Sequence, residues 1–124
     1  MKNLVAVFIG GGLGASSRYW LSGVVYRWLP ATFPYGNLIV NISGCFLIGV
    51  LMTAFNDRFM VNPVWRLFLV IGILGGFTTF SSFSYETVLL FRDREIAAGL
   101  VNIAASVGGC LVATIVGTYV GELM

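Results

Sequence analysis

The chain has 124 residues, of which 58% are hydrophobic and 10% are charged, and its formal net charge is +2. Soluble domains usually carry about 25% charged residues, so this composition excludes an ordinary soluble domain and predicts a small integral membrane protein. The chain has no histidine, which excludes His-based catalysis and His metal sites, and it has no basic stretch that could bind nucleic acid.

The first apolar run begins at Leu4 and continues past Arg18 to Trp28. It is too long for the apolar region of a signal peptide, so we interpret it as an uncleaved membrane span. The two cysteines, Cys45 and Cys110, lie in apolar segments without a CxxC spacing, and we interpret them as packing thiols.

Hydropathy predicts four membrane-spanning helices in one all-α domain covering residues 1–124. About 20 apolar residues are enough to cross a bilayer as a helix. The segments between the spans are short and rich in proline or charge, so they can join antiparallel neighbours in one bundle. The predicted spans are approximately 4–28, 37–55, 66–91 and 96–121.

Apart from Arg18, which lies too deep in its span to count, the basic residues are divided equally between the two sides of this predicted bundle. One side holds Lys2, Arg58 and Arg66, and the other holds Arg27, Arg92 and Arg94. Orientation normally follows the Lys/Arg excess of short loops. The balance therefore predicts dual topology and an antiparallel dimer, an intermolecular form of the inverted repeat of transporters. The alternative is a chance balance with one dominant orientation.

Glycine pairs at four-residue spacing predict close contacts between helices. Because four helices leave little room for a route through one subunit, we expect these pairs to support oligomerisation. They are Gly10 with Gly14, Gly72 with Gly76, and Gly117 with Gly121.

The third span is interrupted at its midpoint by the stretch GGFTTFSSFS at 75–84. Glycine costs about 1 kcal/mol relative to alanine in a helix, and Thr and Ser side chains compete for backbone hydrogen bonds. We predict two half-helices with an unwound patch near 75–79. Broken helices at the membrane midplane often hold ions or substrates. A continuous helix that uses its small residues for packing is the alternative.

The charged residues farthest from the ends of the predicted spans are Arg18 and Glu86. Arg18 precedes Tyr19 and Trp20, so it either snorkels to an interface or attracts anions at a vestibule. We expect Glu86 at a mouth, exposed to water or paired with Arg18 or Arg92.

The predicted spans also contain uncharged hydrogen-bond donors and aromatic rings. Asn41 lies in the second span, and a polar stripe on one face of the fourth helix either holds helices together or lines a pathway. Phe80 and Phe83 share a face, which is typical of packing. Alternatively, their electropositive ring edges flank a small anion, while neutral donors replace its water without binding it too tightly. The stripe consists of Asn102, Ser106, Cys110 and Thr114.

Three stretches together resemble the Fluc (CrcB) family of bacterial fluoride channels: GGGLGASSRY at 10–19, VNISG at 40–44 and GGFTTFSSFSYE at 75–86. The resemblance covers essentially the whole chain. It implies an antiparallel, dual-topology homodimer in the bacterial inner membrane. Two pores would pass fluoride passively and selectively out of the cytoplasm.

The resemblance also implies roles by position. Phe80 and Phe83 match the phenylalanines that flank the fluoride path, and Asn41 matches the pore asparagine. The backbone carbonyls of Gly75 and Thr78 match those that hold a structural sodium ion at the centre of the dimer interface. The remaining matches are Ser106 and Thr114 on the polar track of the fourth helix, Arg18 in the vestibule and Glu86 at the end of the third-span motif.

The chain departs from the family pattern at three positions. Asn37 stands where many relatives have threonine, and we interpret it as a helix N-cap. Asn102 stands where some relatives have tyrosine, and Cys110 replaces a hydroxyl. The runner-up function is a small proton-coupled multidrug exporter, which needs a glutamate in the first span, where this chain has only Arg18. A structural subunit is less favoured because polar donors are concentrated at the helix midpoints, and an enzyme is less favoured because no nucleophile–base pair is visible.

Overall fold

The structure is a computed structural model that describes residues 1–57 and 61–124. Within these ranges the fold is all-helical, without strands, and consists of four long rods. The third rod is made of several consecutive pieces, whereas each of the others is one helix. The elements are α1 (Lys2–Trp28), α2 (Tyr35–Asp57), α3 (Pro63–Arg66), a π-helix (Leu67–Leu74), α4 (Gly75–Phe77), α5 (Phe80–Arg92) and α6 (Ile96–Leu123).

Three stretches of the described chain are long and apolar enough to cross a membrane: Tyr35–Asp57, Pro63–Arg92 and Ile96–Leu123. α1 has sufficient length, with 27 residues. It is less apolar than the other three because it contains Arg18 and several glycines and serines. The multi-span interpretation is therefore confirmed for three rods, and the span at 4–28 stays a prediction. Arg58, which was counted in the charge balance, lies outside the described residues.

The glycine pairs pack rods of the same chain against each other. A side chain at Gly10 would collide with the backbone at Gly72, and one at Gly14 would collide with the Ile73 carbonyl. Likewise, a side chain at Gly117 would meet the backbone of α2 at Phe46. The prediction that these glycines serve contacts between subunits is thus wrong for the faces seen here, because the close approaches lie within one chain.

These contacts define two pairs of parallel rods. α1 runs beside the first part of the third rod in the same direction, and α2 runs beside α6 in the same direction. Gly49 of α2 lies against Gly117 of α6, and Gly121 lies against Thr53. α2 also crosses the midpoint of the third rod, where Gly44 faces the side chain of Thr78. Because no Cβ keeps the backbones apart at these glycines, the break in the third rod is held close to α2.

The third rod is broken as predicted, but the break is shorter than expected. Gly75–Phe77 remains helical, and only Thr78 and Thr79 adopt extended backbone, with ψ angles of 154° and 123°. Thr79 is the N-cap of α5, and its hydroxyl accepts the Ser82 N–H at 3.3 Å. The π-helix that precedes the break was not predicted, since an apolar run does not distinguish i+5 from i+4 hydrogen bonding.

α5 ends in a Schellman motif that sets the direction of the chain into α6. The Glu95 N–H bonds to the Leu90 carbonyl at 2.9 Å, and the Arg94 N–H bonds to the Phe91 carbonyl at 3.1 Å. Arg94 occupies the left-handed position, with φ of 62°. Glycine is the usual residue there, so the Arg94 side chain imposes a local strain.

Candidate functional site

The break in the third rod is bridged by the side chain of Asn41. Its Oδ1 accepts the Thr79 N–H at 2.8 Å, and its Nδ2 donates to the Thr79 carbonyl at 3.0 Å. The Thr79 N–H, which the extended conformation frees, is therefore satisfied by a buried amide, and the same amide also donates to the Thr79 carbonyl. Asn41 can do this because the glycine-lined approach at Gly44, one turn further along α2, brings that helix against the break.

The break also diverts hydrogen bonds away from two backbone carbonyls. In a continuous helix the Thr79 N–H would bond to the Gly75 carbonyl, but it donates to Asn41 instead. The Ser82 N–H would bond to the Thr78 carbonyl, but it donates to the Thr79 hydroxyl. The carbonyls of Gly75 and Thr78 are thereby released from the helical ladder. These are the two oxygens that the family resemblance assigns to sodium.

A cavity of about 320 Å³ adjoins the break between α2, α5 and α6. None of the ten residues in its wall is charged. The wall combines amide, hydroxyl and thiol groups with aromatic rings and aliphatic side chains. Its polar and aromatic members are Asn41, Cys45, Thr78, Thr79, Phe80, Phe83, Ser106 and Cys110.

The two phenylalanines of the third-span motif both contribute to this wall. Their ring centroids are 5.3 Å apart and their planes are inclined by 54°. Phe83 is buried, with 9% of its surface exposed, whereas Phe80 is 75% exposed. Phe83 is thus part of the interior of this chain, while Phe80 projects from it and presents a large apolar surface that a single chain leaves open.

A chain of hydrogen bonds leads from the cavity along the contact between α5 and α6. Ser106 donates to Asn102 at 3.4 Å, Asn102 donates to Thr87 at 2.9 Å, and Thr87 donates to the Phe83 carbonyl at 2.7 Å. All three polar side chains are buried, and Asn102 is only 2% exposed. We name Ser106, Asn102 and Thr87 the polar trail. Thr87 was missed in the sequence, although its spacing of four from Phe83 places both on one helix face.

The other residues of the predicted stripe have different surroundings. Cys110 lies in the cavity wall. Thr114 does not: its hydroxyl donates to the Cys110 carbonyl at 2.9 Å, and its own carbonyl packs against Gly49. Arg18 is only partly buried and is not part of the cavity wall. The structure therefore brings Asn41, Phe80, Phe83 and Ser106 together but not Thr114 or Arg18.

Glu86 lies in the wall of a separate cleft of about 630 Å³ at the ends of the helices. Asp93, Glu95 and the loop at 31–34 also line this cleft. The predicted position at a mouth agrees with this placement. The predicted pairing with Arg18 or Arg92 is replaced by a hydrogen bond, since Asn37 donates to Glu86 Oε1 at 2.8 Å. Asn37 lies inside α2, so its interpretation as an N-cap is wrong.

The fold and the site define a polytopic helical membrane protein with a neutral, aromatic-flanked cavity at a helix break. Residues 5–118 match the family described as CrcB-like protein, Camphor Resistance (CrcB), and the chain belongs to this family.

The relatives are proteins named fluoride-specific ion channel FluC. The one from Citrifermentans bemidjiense is 42% identical over 124 residues, covering all of both chains. Those from Geobacter sulfurreducens and Geotalea daltonii are 46% and 47% identical, with coverage of 92% and 94% of each chain. These relatives are channels, which agrees with the lack of a catalytic constellation in the sequence.

Proposed function

We propose that this chain is a fluoride-selective passive channel of the bacterial inner membrane. The observation that carries the proposal is the uncharged cavity at the break, which joins amide and hydroxyl donors to the rings of Phe80 and Phe83. Fluoride is small and strongly hydrated, so its transfer requires donors that replace water. Neutral donors and ring edges supply this without the deep binding that a buried cation would impose. The family's FluC relatives support the same conclusion.

The broken rod adds an electrostatic argument. α5 begins at the cavity, where Thr79 and Phe80 form part of the wall. The N-terminus of a helix carries a partial positive charge, which attracts an anion without a charged side chain. Asn41 fixes this N-terminus in place by holding Thr79. The donors that face the anion are thus oriented before it arrives.

We propose that the polar trail continues the route from the cavity towards the cleft at Glu86. Ser106 lies in the cavity wall, and Thr87 follows Glu86 of the cleft wall in α5, so the trail extends from the cavity in the direction of the cleft. Each hydroxyl and amide of the trail can exchange a neighbour's hydrogen bond for one to the ion. Arg18 and Thr114 are proposed to act only where a second chain adds to the vestibule, because neither reaches the cavity of one chain.

The working unit is proposed to be an antiparallel homodimer with two pores. The exposed ring of Phe80 and the exposed backbone at Gly75 support an assembly that covers them. A structural sodium ion fits the released carbonyls of Gly75 and Thr78, because neutral oxygens suit a hard monovalent cation and the C-terminal end of a helix is partially negative. Two such carbonyls from each chain would supply four ligands at the interface.

Fluoride efflux from liposomes containing the purified protein tests the proposed activity. We expect efflux that needs only a potassium shunt and no proton gradient. Proton-coupled efflux of an organic cation without fluoride efflux would instead favour the exporter. Asn41→Asp should stop fluoride efflux, because a carboxylate in the cavity wall repels the anion. The matched control, Asn56→Asp at the exposed end of the same helix, should conduct normally.

Native mass spectrometry of the protein released from detergent micelles tests the assembly. We expect a dimer that retains one sodium ion when the protein is prepared in sodium salts. Reporter fusions at the C-terminus should reveal both orientations in the membrane. A monomer, or fusions in a single orientation, would contradict the proposed dimer, and a dimer without a bound cation would contradict the sodium site.

A further inference from the structure

The wall of the cavity contains both cysteines of the chain. Cys45 of α2 and Cys110 of α6 both line it, and both are free thiols of intermediate burial. Both side chains therefore border the same space between α2 and α6. The interpretation as ordinary packing thiols is therefore incomplete, because both thiols border one open space.

The packing of the two helices holds this pair together. α2 and α6 run in parallel, with Ile42 against Gly109 before the pair and Gly49 against Gly117 after it. At Gly49 and Gly117 the backbones touch, so the helices cannot separate or slide there without losing close contacts. The two thiols are thus on rigid elements, which is the condition for a preorganised ligand site.

We propose that Cys45 and Cys110 form a two-thiolate site for a soft metal ion such as Hg²⁺ or Ag⁺, whose occupation blocks the cavity. Thiolates select soft ions over the hard cations of the cell. In the described part of the chain, no cluster of three or more His, Cys, Asp or Glu side chains is present as a metal site. The site therefore suits an ion that accepts two-coordinate ligation rather than tetrahedral zinc.

Binding exchanges protons for the metal and involves no oxidation. With Hg²⁺, both S–H bonds break, two S–Hg bonds form, and two protons pass to water. The consequence for transport rests on the proposed function, because the same cavity contains the groups proposed to desolvate fluoride. An ion fixed between α2 and α6 occupies this space beside Asn41 and Ser106. Because two thiolates neutralise the charge of Hg²⁺, the block is steric: the bound ion fills space that fluoride would need.

The chain has only these two cysteines, so the test has no background from other thiols. Reduced protein in detergent would be titrated with mercuric acetate, with thiolate–mercury absorbance, intact mass and remaining free thiols as readouts. We expect one Hg²⁺ per chain and the loss of both free thiols together. Cys45→Ser and Cys110→Ser should each weaken binding at least about a hundredfold, because the second ligand is already in place in the parent.

Fluoride efflux from liposomes provides the second readout. Stoichiometric Hg²⁺ should block the parent, and a dithiol should restore efflux where a monothiol at equal concentration does not. Each serine variant would be compared with its own untreated rate, and its efflux should resist the same dose. Two Hg²⁺ per chain, or undiminished binding in either variant, would overturn the site.

One Hg²⁺ per chain with unimpaired efflux would overturn the blocking role. If the untreated protein passed no fluoride, the titration would still decide whether the site exists. Failure of the channel proposal is therefore distinguishable from failure of the metal site.

Discussion

The pairing of Asn41 with Thr79 is the contact on which the shape of the broken rod depends. Asn41→Ala removes the acceptor of the Thr79 N–H and the donor to its carbonyl in one change. A buried polar group left without a partner costs about 1–3 kcal/mol. Interhelical hydrogen bonds measured in membranes contribute less, about 0.6 kcal/mol on average and up to about 1.7.

Water that enters the adjoining cavity can replace part of these two bonds in the variant. The two bonds should therefore contribute about 2 kcal/mol to the free energy of unfolding. This corresponds to a change of about 30-fold in the unfolding equilibrium constant, since about 1.4 kcal/mol is tenfold. The assay is reversible unfolding in mixed micelles of increasing SDS fraction, followed by circular dichroism. Asn56→Ala, on the exposed end of α2, is the control and should be neutral. A loss of less than about 0.5 kcal/mol for Asn41→Ala would refute the bridging role.

Three further changes test the packing, the loop and the aromatic wall. Gly14→Ala should destabilise the fold by about 3 kcal/mol or more because its Cβ meets backbone, whereas Gly12→Ala, in open space, should be neutral or gain up to about 1 kcal/mol in the same assay. Arg94→Gly should raise the free energy of unfolding by about 1 kcal/mol, because glycine relieves the strain of the left-handed backbone. The control Arg94→Lys should leave it unchanged. Equal unfolding midpoints for Arg94→Gly and the parent would contradict this. Phe83→Ile should slow fluoride efflux by up to about tenfold with little loss of stability, because the ring edge stabilises the passing anion by about 1 kcal/mol more than an aliphatic side chain does. The control Phe8→Ile, on the exposed surface of α1, should conduct normally. Normal efflux in Phe83→Ile would assign that ring to packing.

The sequence predicted the rods and the location of the break because both depend on local composition. Long apolar runs define the rods, and adjacent threonines after two glycines weaken the helical ladder. The extent of the break was overestimated because glycines retain helical backbone when a neighbouring rod packs against them. Gly76, for example, stays helical and lies against Gly11 of α1.

The partners of the polar groups were not predictable in the same way. Asn41 and Thr79 are 38 residues apart, and Asn37 and Glu86 are 49 apart. Their pairing depends on which faces of the rods meet, and helices that are apolar all round give no indication of their rotation. For the same reason the glycine pairs indicated close packing but not that the partner helix belongs to the same chain.

The most direct measurement of the central claim is a side-by-side record of fluoride and chloride leaving the same liposomes. We expect rapid fluoride efflux and chloride efflux no faster than in protein-free liposomes, because the neutral donors and ring edges at the break desolvate only the smaller anion. Equal efflux of the two halides, or no efflux of either, would contradict an uncharged, fluoride-selective path at the broken rod.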